Sequence, residues 1–170
     1  MSSDQVLMIV LRLLHIGAGV FWVGSVFFLN LFAMPAIQAA GADGPRFMGV
    51  LMREGRVQRA LIHAGIVTIV SGLIIYGRFT METQGLWARS AAAMGYGVGA
   101  IAAIVAFAIG IAVNAPSARR LQAIGATPGG PSAEQQAEAA RIRARLATAS
   151  RITLWMLVVA VISMAISRYL

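Results

Sequence analysis

Four long apolar runs are the feature that most constrains this chain. They cover residues 13–37, 60–77, 91–113 and 152–168. Each run is too continuous for an amphipathic surface helix and too long for a strand. A helix needs roughly 20 apolar residues to cross a bilayer, and tilt accommodates the short fourth run. The sequence predicts an all-α fold, an antiparallel four-helix membrane bundle formed as one domain by residues 1–170.

Composition supports a membrane protein and excludes several other classes. The chain is 59% hydrophobic and 12% charged, whereas soluble domains carry about 25% charged residues. Without cysteine, disulfides, thiolate nucleophiles and Cys-type metal sites are excluded. The net charge of +8 comes from Arg residues between the apolar runs, so topology explains it and no nucleic-acid partner is expected. The lipid bilayer is the expected partner.

The distribution of Arg predicts the orientation of the spans. Ten Arg residues share one end of the bundle, in the first and third connections, and four share the other end. Because cytoplasmic loops carry the excess of Arg, we expect both termini to be periplasmic, in a bacterial inner membrane. The ten are Arg46, Arg53, Arg56, Arg59, Arg119, Arg120, Arg141, Arg143, Arg145 and Arg151, and the four are Arg12, Arg78, Arg89 and Arg168.

The connections predict helices that continue beyond the lipid at the Arg-rich side. A turn at 41–45 precedes an amphipathic segment that leads into the second span. A Pro- and Gly-rich break at 127–131 precedes Ser132, which with Gln135 forms a capping-box pattern. We therefore expect the first, second and fourth helices to extend past the hydrocarbon. A Glu138–Arg141 pair at i,i+3 is expected to support the fourth helix.

Two histidines, His15 and His63, are the candidate functional residues, because ionisable residues in a membrane span are costly. Aligning the run midpoints at Gly24 and Thr68 separates the histidines by about 20 Å, or by about 11 Å in the closest register. One shared metal site is therefore disfavoured, and two polar levels are predicted. The outer level comprises His15, Arg12, Met94 and Met164; the inner level comprises His63, Asn30, Met34 and Met156. The competing interpretation is that these histidines and methionines only fill the core.

No catalytic residues are predicted. The carboxylates all lie in connections or at chain ends, so a paired acid and base within the spans is excluded. No nucleophile triad or phosphate-binding loop is present. The chain is therefore not expected to be an enzyme by these criteria. The carboxylates are Asp4, Asp43, Glu54, Glu82, Glu134 and Glu138.

The first span carries a recognisable pattern, L-H-I-x4-F-W-x-G-x-x-F-F, which includes His15, Trp22, Gly24 and the pair Phe27-Phe28. This pattern resembles the first helix of a group of small bacterial membrane proteins. The group includes the copper-resistance D-type family, the J-type protoporphyrinogen oxidase and the membrane domain of a membrane-anchored urate oxidase. The resemblance implies haem b or copper as cofactor, His15 as its ligand and Trp22 at the bundle centre. The chain departs from the oxidase pattern because it contains no Lys.

Three hypotheses remain open. The first is a haem-binding membrane protein for electron transfer or haem handling, with Arg12 at a haem propionate and Met94, Met164 or a second His15 of a homodimer as the partner ligand. The second is a copper-handling protein that uses His15 and methionines. The third is a cofactor-free structural subunit of a larger respiratory or photosynthetic membrane complex.

Overall fold

The computed structural model describes residues 2–53 and 56–170, and Glu54 lies outside the described residues. All elements in these two ranges are helical. Four continuous helical rods are long and apolar enough to cross a membrane: 3–39, 57–82, 91–125 and 133–169. The predicted all-α class with four spans is confirmed. The α-helices are α1 (Ser3–Phe28), α2 (Met34–Ala39), α3 (Gly44–Arg53), α4 (Val57–Glu82), α5 (Ala91–Ile109), α6 (Ala115–Gly125) and α7 (Ala133–Ile166).

Two of the rods contain a π-helical segment just before a proline. Leu29–Ala33 joins α1 to α2, which has Pro35 in its first turn, and Gly110–Asn114 joins α5 to α6, which has Pro116 in its first turn. Proline lacks an N–H and its ring crowds the carbonyl four residues earlier. The wider π turn relieves that conflict and lets the helix continue past the proline.

The bundle consists of two tightly packed helix pairs. α1 packs along α4, and α5 packs along α7, with less extensive contact between the pairs. Small side chains allow close approach, as expected in a membrane where packing and not hydrophobicity holds helices together. Between the pairs, Trp22 and the fully buried Leu157 lie in a core completed by alanines. The alanines are Ala102, Ala103, Ala106 and Ala160.

The outward faces of the spans are apolar. Leu13, Val20, Ile101 and Ile162 each expose more than half of their surface. A water-soluble monomer rarely exposes so much contiguous apolar surface, whereas lipid chains would cover it. The fold is that of a small multi-pass integral membrane protein.

The Arg-rich end of the bundle, residues 38–53, 56–59 and 114–151, extends well beyond the apolar runs. α6 and the first half of α7 form a helical hairpin that buries Ile124 and Ala139. The capping box is confirmed, because the Ser132 hydroxyl accepts from the Gln135 N–H and the Gln135 side chain accepts from the Ser132 N–H. The extension of the third rod through residue 125 was not predicted.

The ion pair expected within the fourth helix is replaced by a pair between helices. Arg120 donates from Nε and a terminal nitrogen to the two carboxylate oxygens of Glu138, both at 2.7 Å. The predicted Arg141 partner is therefore wrong. A bidentate pair has better geometry than a local i,i+3 pair, and the antiparallel hairpin brings the two residues together. The bond holds the pKa of Glu138 below its ordinary value and raises that of Arg120.

The first connection also differs from a simple lead into the second span. Gly41, at φ +58°, starts the predicted turn, in the left-handed region that favours glycine. α3 then forms a separate helix, and the chain restarts as α4 after Arg56, which also has a positive φ. The amphipathic segment is thus a short helix of its own and not the beginning of the second span.

The terminal end of the bundle, which carries both termini and residues 78–90, is closed by aromatic and charged side chains. The ring of Trp87 lies 4.9 Å from Tyr76 and 5.5 Å from Phe79, measured between centroids. Arg78 donates to Asp4 at 2.8 Å, which connects the end of α4 to the start of α1. Aromatic rings of this kind are typical of membrane interfaces.

Candidate functional site at His15

His15 lies on α1, where its imidazole packs against α4. The residue is half-buried. Its Nδ1 is 2.8 Å from the backbone carbonyl oxygen of Thr68. A carbonyl oxygen can only accept, so Nδ1 carries the proton and donates it. In a neutral imidazole the other nitrogen, Nε2, then holds a lone pair. No described residue hydrogen-bonds Nε2. The arrangement fixes the tautomer and presents Nε2 as an acceptor or metal ligand, in the way that hydrogen-bonded histidine ligands are held.

Gly72 provides the space for the imidazole. A Cβ atom at this position would lie 2.7 Å from Cε1 and 2.9 Å from Nδ1 of His15. Both distances are shorter than van der Waals contact permits. The ring therefore occupies a notch in α4 that only glycine leaves open, directly beside the carbonyl that receives its hydrogen bond.

The hydroxyls next to the imidazole are satisfied by their own helix. Thr68 Oγ1 donates to the Ala64 carbonyl at 2.8 Å, and Ser71 Oγ donates to the Val67 carbonyl at 2.5 Å. Both residues are buried. Because their protons are engaged, these hydroxyls can only accept from another group. They make the wall beside His15 polar without competing for Nε2.

A second close contact lies two turns along the same face of α1. Trp22, 5% exposed, meets Phe107 edge to face with 5.8 Å between ring centroids. Gly65 accommodates both rings, since a Cβ there would lie 2.6 Å from the Phe107 ring and 3.3 Å from Trp22. Trp22 therefore sits in the bundle core beneath His15, as the resemblance implies.

These contacts define the register of α1 against α4. His15 lies opposite Gly72, Gly19 opposite Thr68, and Trp22 opposite Gly65. The midpoint alignment placed Gly24 opposite Thr68, five residues away from the observed register. The midpoints of the two apolar runs are therefore not level in the structure.

The register keeps the two histidines apart. Since His15 faces Gly72, His63 is nine residues further along α4, which corresponds to about 14 Å of helix. His63 is also exposed. An imidazole binds a metal at about 2 Å, so one metal ion cannot join these side chains in this fold. His63 remains a separate candidate at the inner level.

Arg12 lies one turn from His15 and points towards the terminal end. Its guanidinium carbon is 5.9 Å from the centroid of the Phe79 ring, which is within the range of a cation–π interaction. The side chain is exposed. A long cationic side chain near a helix end reaches the interface in this way while its stem covers apolar surface.

The two methionines predicted at the outer level occupy different positions. The Phe107 ring packs on Gly65. Because α4 and α5 are antiparallel, counting seven residues from these two positions towards the terminal end places Ala100 level with Gly72, and therefore with His15. Met164 packs on the neighbouring Gly99, with Cγ 3.0 Å from a Cβ placed there, and so lies at the level of His15. Met94 is 60% exposed and lies about 9 Å nearer the terminal end.

The other candidate metal ligands do not converge on His15. Within residues 2–53 and 56–170 there is no group of three or more His, Cys, Asp or Glu side chains that could hold a metal ion. At the inner level, the Asn30 amide donates to the Val26 carbonyl at 2.8 Å and so serves its own helix beside the π segment. Sequence reasoning missed the Thr68 carbonyl, because a backbone partner leaves no residue signature.

The site thus offers one oriented imidazole nitrogen inside an apolar span, with an Arg one turn away. No protein-family model, curated protein or solved structure matches this chain.

Proposed function

We propose that this chain is a small membrane protein that binds haem b through Nε2 of His15 and acts in electron transfer or haem handling. The observation that carries the proposal is the bond from His15 Nδ1–H to the Thr68 carbonyl. It fixes the ring in the tautomer that a proximal ligand needs. It also explains why Gly72 stands opposite the ring.

The number of available ligands favours haem over copper. A haem iron can be held by a single protein histidine because the porphyrin supplies four nitrogens. A copper site built from soft ligands needs several side chains around the ion. Met164 is level with His15 but packs on Gly99, and His63 is about 14 Å away along the helix axis. A copper site of this kind would need further side-chain ligands beside His15, which a haem iron does not need.

Arg12 fits the same proposal. Haem propionates are anionic and lie at the membrane interface when the porphyrin is in the hydrocarbon. Arg12 is exposed, one turn from His15, and directed to the terminal end. We expect it to pair with a propionate by charge-assisted hydrogen bonds, while His15 holds the iron and Trp22 closes the core beneath.

The proposed orientation places His15 towards the periplasmic side of a bacterial inner membrane. The support is the count of ten Arg at one end of the bundle against four at the other. Because excess Arg marks the cytoplasmic side, the terminal end with Arg12 faces the periplasm.

The decisive experiment compares His15→Ala with His63→Ala, each purified from membranes with haem quantified by absorption and copper by elemental analysis. Each variant removes one imidazole, His15→Ala from the first span and His63→Ala from the second. Far-UV circular dichroism verifies that both variants remain helical. We expect a Soret band in the wild type and in His63→Ala, and its loss in His15→Ala. Full haem retention in His15→Ala would refute the ligand assignment, and loss only in His63→Ala would move the site to the inner level.

The same measurement separates the other two hypotheses. Bound copper without a Soret band, lost in His15→Ala, would establish the copper-handling alternative, for which Met164 is the level-matched partner. Neither cofactor, together with stoichiometric co-purification of a larger membrane complex, would establish a structural subunit.

A further inference from the structure

A shallow groove lies at the Arg-rich end of the bundle, where α7 enters the apolar region beside the π segment of the third rod. It is an open depression of about 520 Å³. α7 keeps the groove open by presenting short side chains. The lining residues are Ile109, Val113, Ala144, Arg145, Thr148, Ala149 and Ile152.

The polarity of the groove changes along the bundle axis. Ile109, Val113 and Ile152 belong to the third and fourth apolar runs, and Arg145 lies outside them. From Ile152 to Ala144 the groove covers nine residues of α7, or about 12 Å along the helix axis. One end therefore lies within the hydrocarbon and the other end at the level of the lipid headgroups.

Charge at the polar end favours an anion. Arg145 forms no ion pair with a described residue; of the two carboxylates on α7, Glu138 is bound to Arg120. Arg141, Arg143 and Arg151 on the same helix add positive potential. Thr148 donates only a long bond of 3.3 Å to the Ala144 carbonyl, so its hydroxyl can turn towards a phosphate oxygen.

We propose that this groove binds an anionic phospholipid. The phosphate pairs with Arg145 and Thr148, and an acyl chain packs on Ile109, Val113 and Ile152. Basic pockets between helices on one face of a membrane recognise lipid headgroups by this combination. A zwitterionic lipid fits the apolar end but carries a cation that Arg145 repels. The inference does not depend on haem at His15.

The test measures lipid retention by native mass spectrometry of the full chain, with phosphatidylglycerol and phosphatidylcholine of identical acyl chains in competition. We expect the wild type to prefer phosphatidylglycerol. Arg145→Gln should reduce that preference about fivefold, the equivalent of one Arg–lipid attraction, whereas Arg145→Lys should retain most of it. Ala144→Leu keeps the charge but fills the groove, and it should reduce binding of both lipids.

Arg143→Gln is the matched control, because it removes the same charge from the same helix at an exposed position that does not line the groove. It should leave the preference unchanged. Equal losses in Arg143→Gln and Arg145→Gln would show general attraction to the Arg-rich end and overturn the proposal. Full binding by Ala144→Leu would also overturn it, as would displacement of the lipid by millimolar inorganic phosphate, which would indicate a free-phosphate site.

Discussion

Gly72→Ala tests whether the notch in α4 is what holds His15. The added Cβ would lie 2.7 Å from Cε1 of the imidazole and 2.9 Å from Nδ1. To restore van der Waals contact the ring must withdraw from α4 by roughly 0.7 Å. The Nδ1–carbonyl distance to Thr68, now 2.8 Å, then grows to about 3.5 Å, where a hydrogen bond is lost.

The expected cost follows from three opposing contributions. Overpacking costs about 1–3 kcal/mol, and the lost hydrogen bond costs about 0.5–1.5 kcal/mol. Replacing glycine by alanine in a helix returns about 1 kcal/mol. We therefore expect Gly72→Ala to lower the free energy of unfolding by about 0.5–3.5 kcal/mol, measured by denaturant titration in detergent micelles. Gly77→Ala is the control on the same helix, since nothing lies within 4 Å of its added Cβ, and it should be neutral or stabilising.

A double-mutant cycle identifies the cause. In His15→Ala the ring is gone, so the additional Cβ of Gly72→Ala meets no obstacle and its penalty should vanish. Coupling between residues in contact is typically about 0.5–3 kcal/mol. An equal penalty in both backgrounds would refute the reasoning, because the clash would then involve something other than the imidazole.

Three further predictions concern other parts of the molecule. Gly65→Ala should destabilise the fold by about 1–3 kcal/mol, because its Cβ would lie 2.6 Å from the Phe107 ring; denaturant titration measures this. Arg120 lowers the pKa of Glu138, so this pair stabilises the fold above the ordinary glutamate pKa of about 4.3, and the stabilisation is lost as the pH falls below that value. Amide exchange of the α6–α7 hairpin, measured against pH, should show this loss. The pH dependence should be absent in Glu138→Gln. A reporter fused after Leu170 should be active only in the periplasm, and activity only in the cytoplasm would reverse the proposed orientation.

The four spans were predictable because lipid imposes a long apolar run on every crossing helix. The start of α7 was predictable as well, because Ser132 and Gln135 form a local cap whose partners are three residues apart. The third rod was not, because its apolar run ends at Val113 and Pro116 usually stops a helix. The π segment that carries the chain past the proline depends on the packing of the whole rod and has no sequence signature of its own.

The register between α1 and α4 was within reach of the sequence. His15 and Trp22 are seven residues apart on one face, and Gly65 and Gly72 have the same spacing on the other helix. In antiparallel helices two large residues can match two glycines in only one register. The midpoint alignment ignored this match and was wrong by five residues. The partner of Glu138 was out of reach, because the choice of Arg120 over Arg141 depends on the hairpin geometry.

The surroundings of His15 support the proposal that it is a ligand and does not only fill space. A fully buried histidine needs partners for both ring nitrogens, since an unpaired polar atom in an apolar medium costs about 1–3 kcal/mol, whereas His15 is only half-buried. Here α4 supplies a partner for Nδ1 alone, through the Thr68 carbonyl, and leaves a glycine beside the ring. Leucine or methionine would fill the same notch without the unmet acceptor. Under the haem proposal the iron is the second partner, at Nε2, because it needs only this one nitrogen from the chain.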